Sequence, residues 1–207
     1  MNKKEKNGST MGKFWNWLWN SDSIFSYLVF LILVFIIVKF ILLPGLGLIF
    51  GSSLPLAIVE SSSMEHYALD LDTNGYSICG KYLEDYQFLD SEEYWQTCGQ
   101  WYEDNTNITE AEFQTFKFKD GFRKGDLMII MGRDSIEVGD VIIFDTGRSY
   151  PIIHRVVSTN PIQTKGDHNG AQLDEEKGIN KNQIIGVAVG RIPYIGWIKL
   201  FFVELFR

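Results

Sequence analysis

Cysteine and histidine are scarce in this chain of 207 residues. There are two of the first and three of the second, too few for a Cys/His zinc site. Positive charge is short as well: 19 lysines and arginines stand against 26 aspartates and glutamates, for a net charge of −7. That balance argues against a nucleic-acid partner. A glycine-rich phosphate loop is missing too, since Gly45-Leu46-Gly47 lacks the lysine and following helix that such a loop needs. No metal and no cofactor is expected. Mean hydropathy is only −0.04 although 45% of residues are hydrophobic, so the apolar residues are concentrated rather than spread.

The concentration lies near the N-terminus. From Ile24 to Leu43 the chain is almost purely apolar, broken only by Ser26, Tyr27 and Lys39. Twenty residues at 1.5 Å rise give about 30 Å, the hydrocarbon thickness of a bilayer. Lys39, near the far end, can snorkel to the interface. Before this run come Lys3, Lys4, Lys6 and Lys13 against Glu5 alone, then Phe14, Trp15, Trp17 and Trp19, residues suited to the headgroup zone. The next cation after Lys39 is Lys81. The positive-inside rule then predicts residues 1–23 in the cytoplasm, a transmembrane helix at 24–43, and residues 44–207 outside. The run exceeds the 7–15 residues of a cleaved signal peptide and ends without a small-x-small site, so a retained single-pass anchor in contact with membrane lipid is expected.

Residues 67–120 change character, being acidic and aromatic. Tyr82, Tyr86, Phe88, Tyr94, Trp95, Trp101 and Tyr102 are spaced as in short amphipathic helices, and Thr109-Glu110-Ala111-Glu112 reads as a capping box opening a helix through Phe116. Cys79 and Cys98 lie here, and outside the membrane they could bridge, whereas a reducing or anaerobic setting would leave them as free thiols. Asn107-Ile108-Thr109 is a glycosylation sequon. From Gly121 onward the reading is β: Leu127–Met131, Val141–Phe144, Ile152–Val157, Ile162–Thr164 and Ile184–Val189 are short apolar runs separated by Gly-Asp and proline turns. Their spacing predicts a mainly β domain, a compact antiparallel barrel or sandwich. The tail from Ile192 to Phe206 is apolar but only about 15 residues long, short for a span.

One polar stretch interrupts this pattern. Ser61-Ser62-Ser63-Met64-Glu65-His66 follows the apolar run Leu54–Val59, which would hold a hydroxyl at a strand end. Serine needs a base to act as a nucleophile; without one, three serines are a polar turn. Candidate partners come later: His154 in Ile152-Ile153-His154-Arg155-Val156, then Asp167 in Lys165-Gly166-Asp167-His168-Asn169, and Asp174. Histidine titrates near 6.5 when unperturbed and so suits a base at neutral pH. His66, three residues from Ser63, competes for that role, and Lys165 is the nearest candidate for a Ser-Lys mechanism. His168 reads as a turn residue.

Taken in order behind the anchor, Ser61–Met64, Gly139-Asp140-Val141-Ile142-Ile143-Phe144, His154-Arg155-Val156, Lys165-Gly166-Asp167-His168-Asn169 with Asp174, and Arg191-Ile192-Pro193-Tyr194-Ile195-Gly196 resemble the boxes of signal peptidase I, in its archaeal and endoplasmic-reticulum form. The resemblance covers the anchor, about 51–66 and about 121–198, and leaves 67–120 as an insertion. It implies a signal-peptidase-like β-barrel carrying a serine endopeptidase of the Ser-His group. Ser63 would be the nucleophile, His154 the general base, and Ser61 the oxyanion-hole donor beside the Ser63 N–H. Asp174 would orient the imidazole, with Asp167 in support. The pattern has departures: Ser62 replaces the usual glycine and His66 the usual proline. The step from Asp167 to Asp174 is one residue longer than common, leaving Leu173 at the expected place and either aspartate as the orienting one.

The implied partners are preprotein signal peptides with small residues at −1 and −3, together with the translocon or accessory subunits. The implied location is the cell membrane, or the endoplasmic-reticulum membrane in a eukaryote. An alternative is a catalytically inactive extracytoplasmic binding or assembly factor of the same fold. A self-cleaving regulator would need an internal cleavage site in a linker, and none is evident.

Overall fold

A computed structural model describes residues 9–71, 75–198 and 200–201. The N-terminal Lys3, Lys4, Glu5 and Lys6, and Lys199, Glu204 and Phe206 of the tail, lie outside the described residues. The chain forms two compact units, 1–49 and 50–207.

Helix α1 (Thr10–Asn20) precedes α2 (Ile24–Phe50), which is long and apolar enough to cross a membrane; all but the last residue of α2 lies in the first unit. Ser23 caps α2, its hydroxyl accepting the Phe25 N–H at 3.3 Å. The helix outruns the predicted 24–43 because Pro44 does not break it. A proline at this position removes one helical hydrogen bond and crowds the carbonyl four residues back. A wider π-type turn at Val38–Leu42, immediately before Pro44, is the usual way a helix absorbs such a defect.

The second unit is mainly antiparallel β. Ten strands are described: β1 (Leu56–Ile58), β2 (Leu69–Leu71), β3 (Gly75–Ile78), β4 (Lys81–Leu83), β5 (Leu127–Met131), β6 (Val141–Phe144), β7 (Ile152–Thr159), β8 (Ile162–Lys165), β9 (Lys177–Ile179) and β10 (Ile184–Ile192). Seven make one sheet in the order β1-β5-β10-β6-β7-β8-β9, every pair antiparallel. Strand β6 is buried on both faces. Its alternate residues serve two cores: Val141 and Ile143 pack with Val59, Met64 and Met128, whereas Ile142 and Phe144 pack with Val156, Ile162 and Val187. Continuous apolar runs are what a strand covered on both sides requires. Register shifts in β7, β8 and β10 bend the strands locally.

The insertion is part sheet and part helix. Its first half is a three-stranded meander, β2-β3-β4, so Tyr82 lies on a strand rather than a helix. Then come α3 (Ser91–Asn105) and the short α4 (Glu110–Phe113). Asp90 and Glu93 form a reciprocal capping box on α3, while Thr109 caps α4, which stops short of Phe116. Tyr94, Trp95, Cys98 and Tyr102 from α3 bury themselves against Ile78, Phe113 and Val157, giving the insertion its own core. Cys79 and Cys98 are joined by a disulfide with a Cα–Cα distance of 5.8 Å. Closing a loop of sequence separation 19 stabilises by about 3 kcal/mol in the chain-entropy model. Reduction should therefore lower the free energy of unfolding by about that amount while the seven-stranded sheet persists. Urea titrations with and without reductant, followed by circular dichroism, measure it, and coincident curves would exclude the bridge.

Candidate active site

Three chain segments converge on one line of hydrogen bonds. Ser63 sits in the turn that follows β1, half-buried, with its neighbour Ser61 exposed. The Ser63 Oγ lies 2.8 Å from the Nε2 of His154, on β7. The Nδ1 of His154 lies 2.5 Å from the Oε1 of Glu176, at the end of a single 3₁₀ turn, Asp174–Glu176, that precedes β9. Glu176 is fully buried and held by two further donors, the Thr164 hydroxyl at 3.1 Å and the Leu173 N–H at 2.6 Å. A carboxylate on one ring nitrogen and a hydroxyl on the other fix an imidazole's tautomer and orientation, as a base acting on a serine requires. Ser61 Oγ lies 3.1 Å from Ser63 Oγ.

Close approach makes this line possible. A Cβ added at Gly166 would sit 2.8 Å from His154 Nε2 and 2.8 Å from the Ser63 carbonyl oxygen. Only glycine fits against His154 and the Ser63 carbonyl there. Strand alternation does the rest: His154 and Arg155 are successive residues of β7 and point to opposite faces. Arg155, fully buried, grips Asp167 in two bonds, Nε to Oδ1 at 2.9 Å and Nη2 to Oδ2 at 2.7 Å. Its remaining donors reach the carbonyls of Lys117, Phe118 and Gly139.

The two aspartates expected beside His154 are elsewhere. Asp174 is exposed and pairs with Lys177 at 3.1 Å. Asp167 is buried against Arg155, and its Oδ2 lies 3.1 Å from His66 Nε2. Burial pushes the Asp167 carboxyl up, but the Arg155 charge and the bonds from His66 and Arg155 outweigh it and hold it well below the usual carboxylate range. Glu176 is the carboxylate the sequence reading missed. Its signal was the run Asp174-Glu175-Glu176 just past the overlong step from Asp167, where any of three carboxylates was in reach.

The rival bases are accounted for. His66 is buried, stacked on the Tyr94 ring at 3.8 Å, and burial lowers its pKa. Lys165 is buried too, its ammonium donating to the Gly166 carbonyl and lying over the rings of Trp101 and Tyr102. Burial lowers it to about 8, against the pull of Asp167 and Glu176. His168 donates its Nδ1–H to the Glu65 carbonyl, with its pKa lowered by burial. Among the described residues, no cluster of His, Cys, Asp or Glu is arranged to hold a metal ion.

Ser63 and His154 open onto a groove of about 930 Å³ walled by apolar side chains, among them Leu56, Ile58, Ile143 and Ile153. Strand β1, along one side, is the edge of the seven-stranded sheet. An edge strand beside an apolar groove can take an extended peptide as an added strand.

Curated proteins resemble part of this chain in sequence. The chain is 31% identical over 98 residues to the signal peptidase complex catalytic subunit SEC11 of Chaetomium globosum, a match covering 40% of this chain and 57% of that protein. It is 33% identical over 98 residues to the subunit of Sclerotinia sclerotiorum, with the same coverage. Against SEC11C of Canis lupus familiaris the figures are 30% over 94 residues, 38% of this chain and 49% of the relative. This chain is a homologue of the signal peptidase catalytic subunits. It spans about half the length of the curated relatives it matches. No family model matches it.

The Arg155–Asp167 pair has a consequence for acid stability. Asp167's folded pKa is depressed, so its contribution is present above the unfolded value near 3.9 and is lost as pH falls below it. Arg155→Met leaves burial unopposed by the guanidinium and should cost about 3–5 kcal/mol at pH 7. It should also move acid unfolding to higher pH, as read by circular dichroism. A variant that unfolds at the wild-type pH would contradict the pairing.

Proposed function

We propose that this chain is a membrane-anchored serine endopeptidase that removes N-terminal signal peptides from exported preproteins. The observation that carries the reading is the 2.8 Å contact between Ser63 Oγ and His154 Nε2, on an apolar groove beside an edge strand. The homology to SEC11 supports the substrate class.

In this reading a preprotein lies extended along β1 with its scissile carbonyl at Ser63. His154 Nε2 takes the hydroxyl proton as Ser63 Oγ attacks the carbonyl carbon. The Ser61 hydroxyl and the Ser63 N–H receive the developing oxyanion, a donor of this kind being worth roughly 3–4 kcal/mol. The proton passes from His154 to the leaving amine, and water, activated by the same imidazole, releases the acyl group. Glu176, rather than Asp174 or Asp167, holds the imidazole and stabilises its cation. Asp167 instead anchors the loop through Arg155. The apolar walls suit the small residues that the resemblance implies at −1 and −3.

The anchor is α2, with residues 1–23 in the cytoplasm and residues from 44 onward outside, as the lysine asymmetry argues. In a eukaryote the membrane is that of the endoplasmic reticulum, with accessory subunits as partners, since the relatives are named as subunits of a complex.

Cleavage of a model preprotein by the detergent-solubilised full chain tests the reading. Ser63→Ala should abolish turnover and His154→Ala should be nearly as severe, the pair being non-additive because they act as one unit. Ser61→Ala should cost about 10²–10³-fold, and Glu176→Gln up to about 10⁴-fold by loss of the correct tautomer. Asp174→Asn should stay within about twofold, as expected of an exposed ion pair. Full turnover in Glu176→Gln together with collapse in Asp174→Asn would return the orienting role to the aspartate.

A further inference from the structure

The insertion reaches the nucleophile through two consecutive backbone hydrogen bonds. The Cys79 N–H donates to the His168 carbonyl at 2.7 Å, and the His168 N–H donates to the Ser63 carbonyl at 2.9 Å. The His168 ring reinforces the second step by donating to the Glu65 carbonyl at 3.2 Å. Residues 166–170 are thereby clamped between the turn after β3 and the turn carrying Ser63. The fit leaves no slack, since a Cβ on Gly170 would sit 3.2 Å from both the Cα and the N of Gly80.

Two features hold the insertion's side of the clamp. Cys79 has φ +47° and Gly80 φ +77°, a left-handed pair that a cysteine keeps only where its surroundings over-determine it. The disulfide to Cys98 supplies that constraint by tying the turn to α3. From α3, Tyr94 donates its hydroxyl to the Asp167 carbonyl at 2.7 Å and Tyr102 donates to Asp167 Oδ1 at 3.3 Å. The insertion thus grips residues 167 and 168 from two directions, on the far side of the loop from Ser63.

We propose that the disulfide-pinned insertion is a positioning element for the nucleophile: through Cys79 and His168 it sets where Ser63 stands relative to His154. The proposal rests on the reading of Ser63 as nucleophile. Cys79, Tyr94 and His168 act through the loop and not on substrate. Displacement of a reacting group by an ångström is enough to cost up to about 10²-fold in rate, so a backbone clamp two bonds away matters. The apolar walls of the groove come from β1, β6, β7 and the segments beside them, all outside the insertion, and the clamped loop adds only Asn169, so substrate binding should be largely spared.

The test uses the full chain in detergent, oxidised and after dithiothreitol, which closes to its own cyclic disulfide as Cys79 and Cys98 become thiols. The temperature is kept below the unfolding transition of the reduced form, checked by circular dichroism. On reduction, kcat for a model preprotein should fall about tenfold while KM changes less than twofold. Amide exchange over 166–170 should quicken while β6 stays protected. Cys79→Ser/Cys98→Ser should match the reduced protein and show no response to dithiothreitol. Tyr94→Phe, which keeps the bridge and loses one bond to Asp167, should fall between. Unchanged kcat or unchanged exchange over 166–170 in the reduced, folded protein would overturn the proposal. Oxidised protein that cleaves nothing sinks the peptidase reading alone, and exchange over 166–170 then decides the coupling by itself.

Discussion

The fully buried pair of Arg155 and Asp167 is the constraint on which the rest depends. A buried guanidinium and carboxylate are tolerable only when every lone pair and donor is answered, and here the answers come from several separate chain segments. Arg155 spends its fork on Asp167 and on the carbonyls of Lys117, Phe118 and Gly139. Asp167 takes bonds from Arg155 and Tyr102 and contacts His66. The pair ties β7, the loop after β8, the segment leaving the insertion and the turn after Ser63 into one rigid junction.

What that junction fixes is the short approach between two loops. Gly166 packs against both the Ser63 carbonyl and His154 with room for no side chain. On one side of β7 the backbone is locked by Arg155, and on the other His154 projects toward Ser63 and back onto Glu176. The alternation of a strand converts a structural ion pair into a placed imidazole. Glu176 can serve because its turn precedes β9, where Thr164 and Leu173 hold its carboxylate still.

Much of the fold was legible because it rests on local pattern. Two of the five predicted strands, Leu127–Met131 and Val141–Phe144, keep their bounds, because Gly-Asp turns before each fix where pairing starts. Strands β7 and β10 run further than predicted into polar or glycine residues, since pairing with neighbours extends a strand past its apolar run. The first half of the insertion misled because aromatic spacing does not separate a meander from a short helix. In the candidate site, Ser63 and His154 were readable because their boxes are contiguous. The carboxylate was not: three acidic residues in a row share one composition, and only the fold chooses which is turned inward. That the insertion reaches the Ser63 backbone through His168 was invisible, since main-chain hydrogen bonds leave no mark on residue identity.

The claim at the centre of this account is a continuous Glu176–His154–Ser63 relay, and the tautomer of one imidazole tests it most directly. The chain holds only three histidines, so ¹⁵N-histidine labelling of the full protein gives a spectrum simple enough to assign with His154→Asn. Neutral His154 should carry its proton on Nδ1, facing Glu176, with Nε2 bare toward Ser63. Glu176→Gln should disturb that preference and Asp174→Asn should not. A neutral His154 protonated on Nε2 would have no lone pair to accept the Ser63 proton, and would contradict the relay.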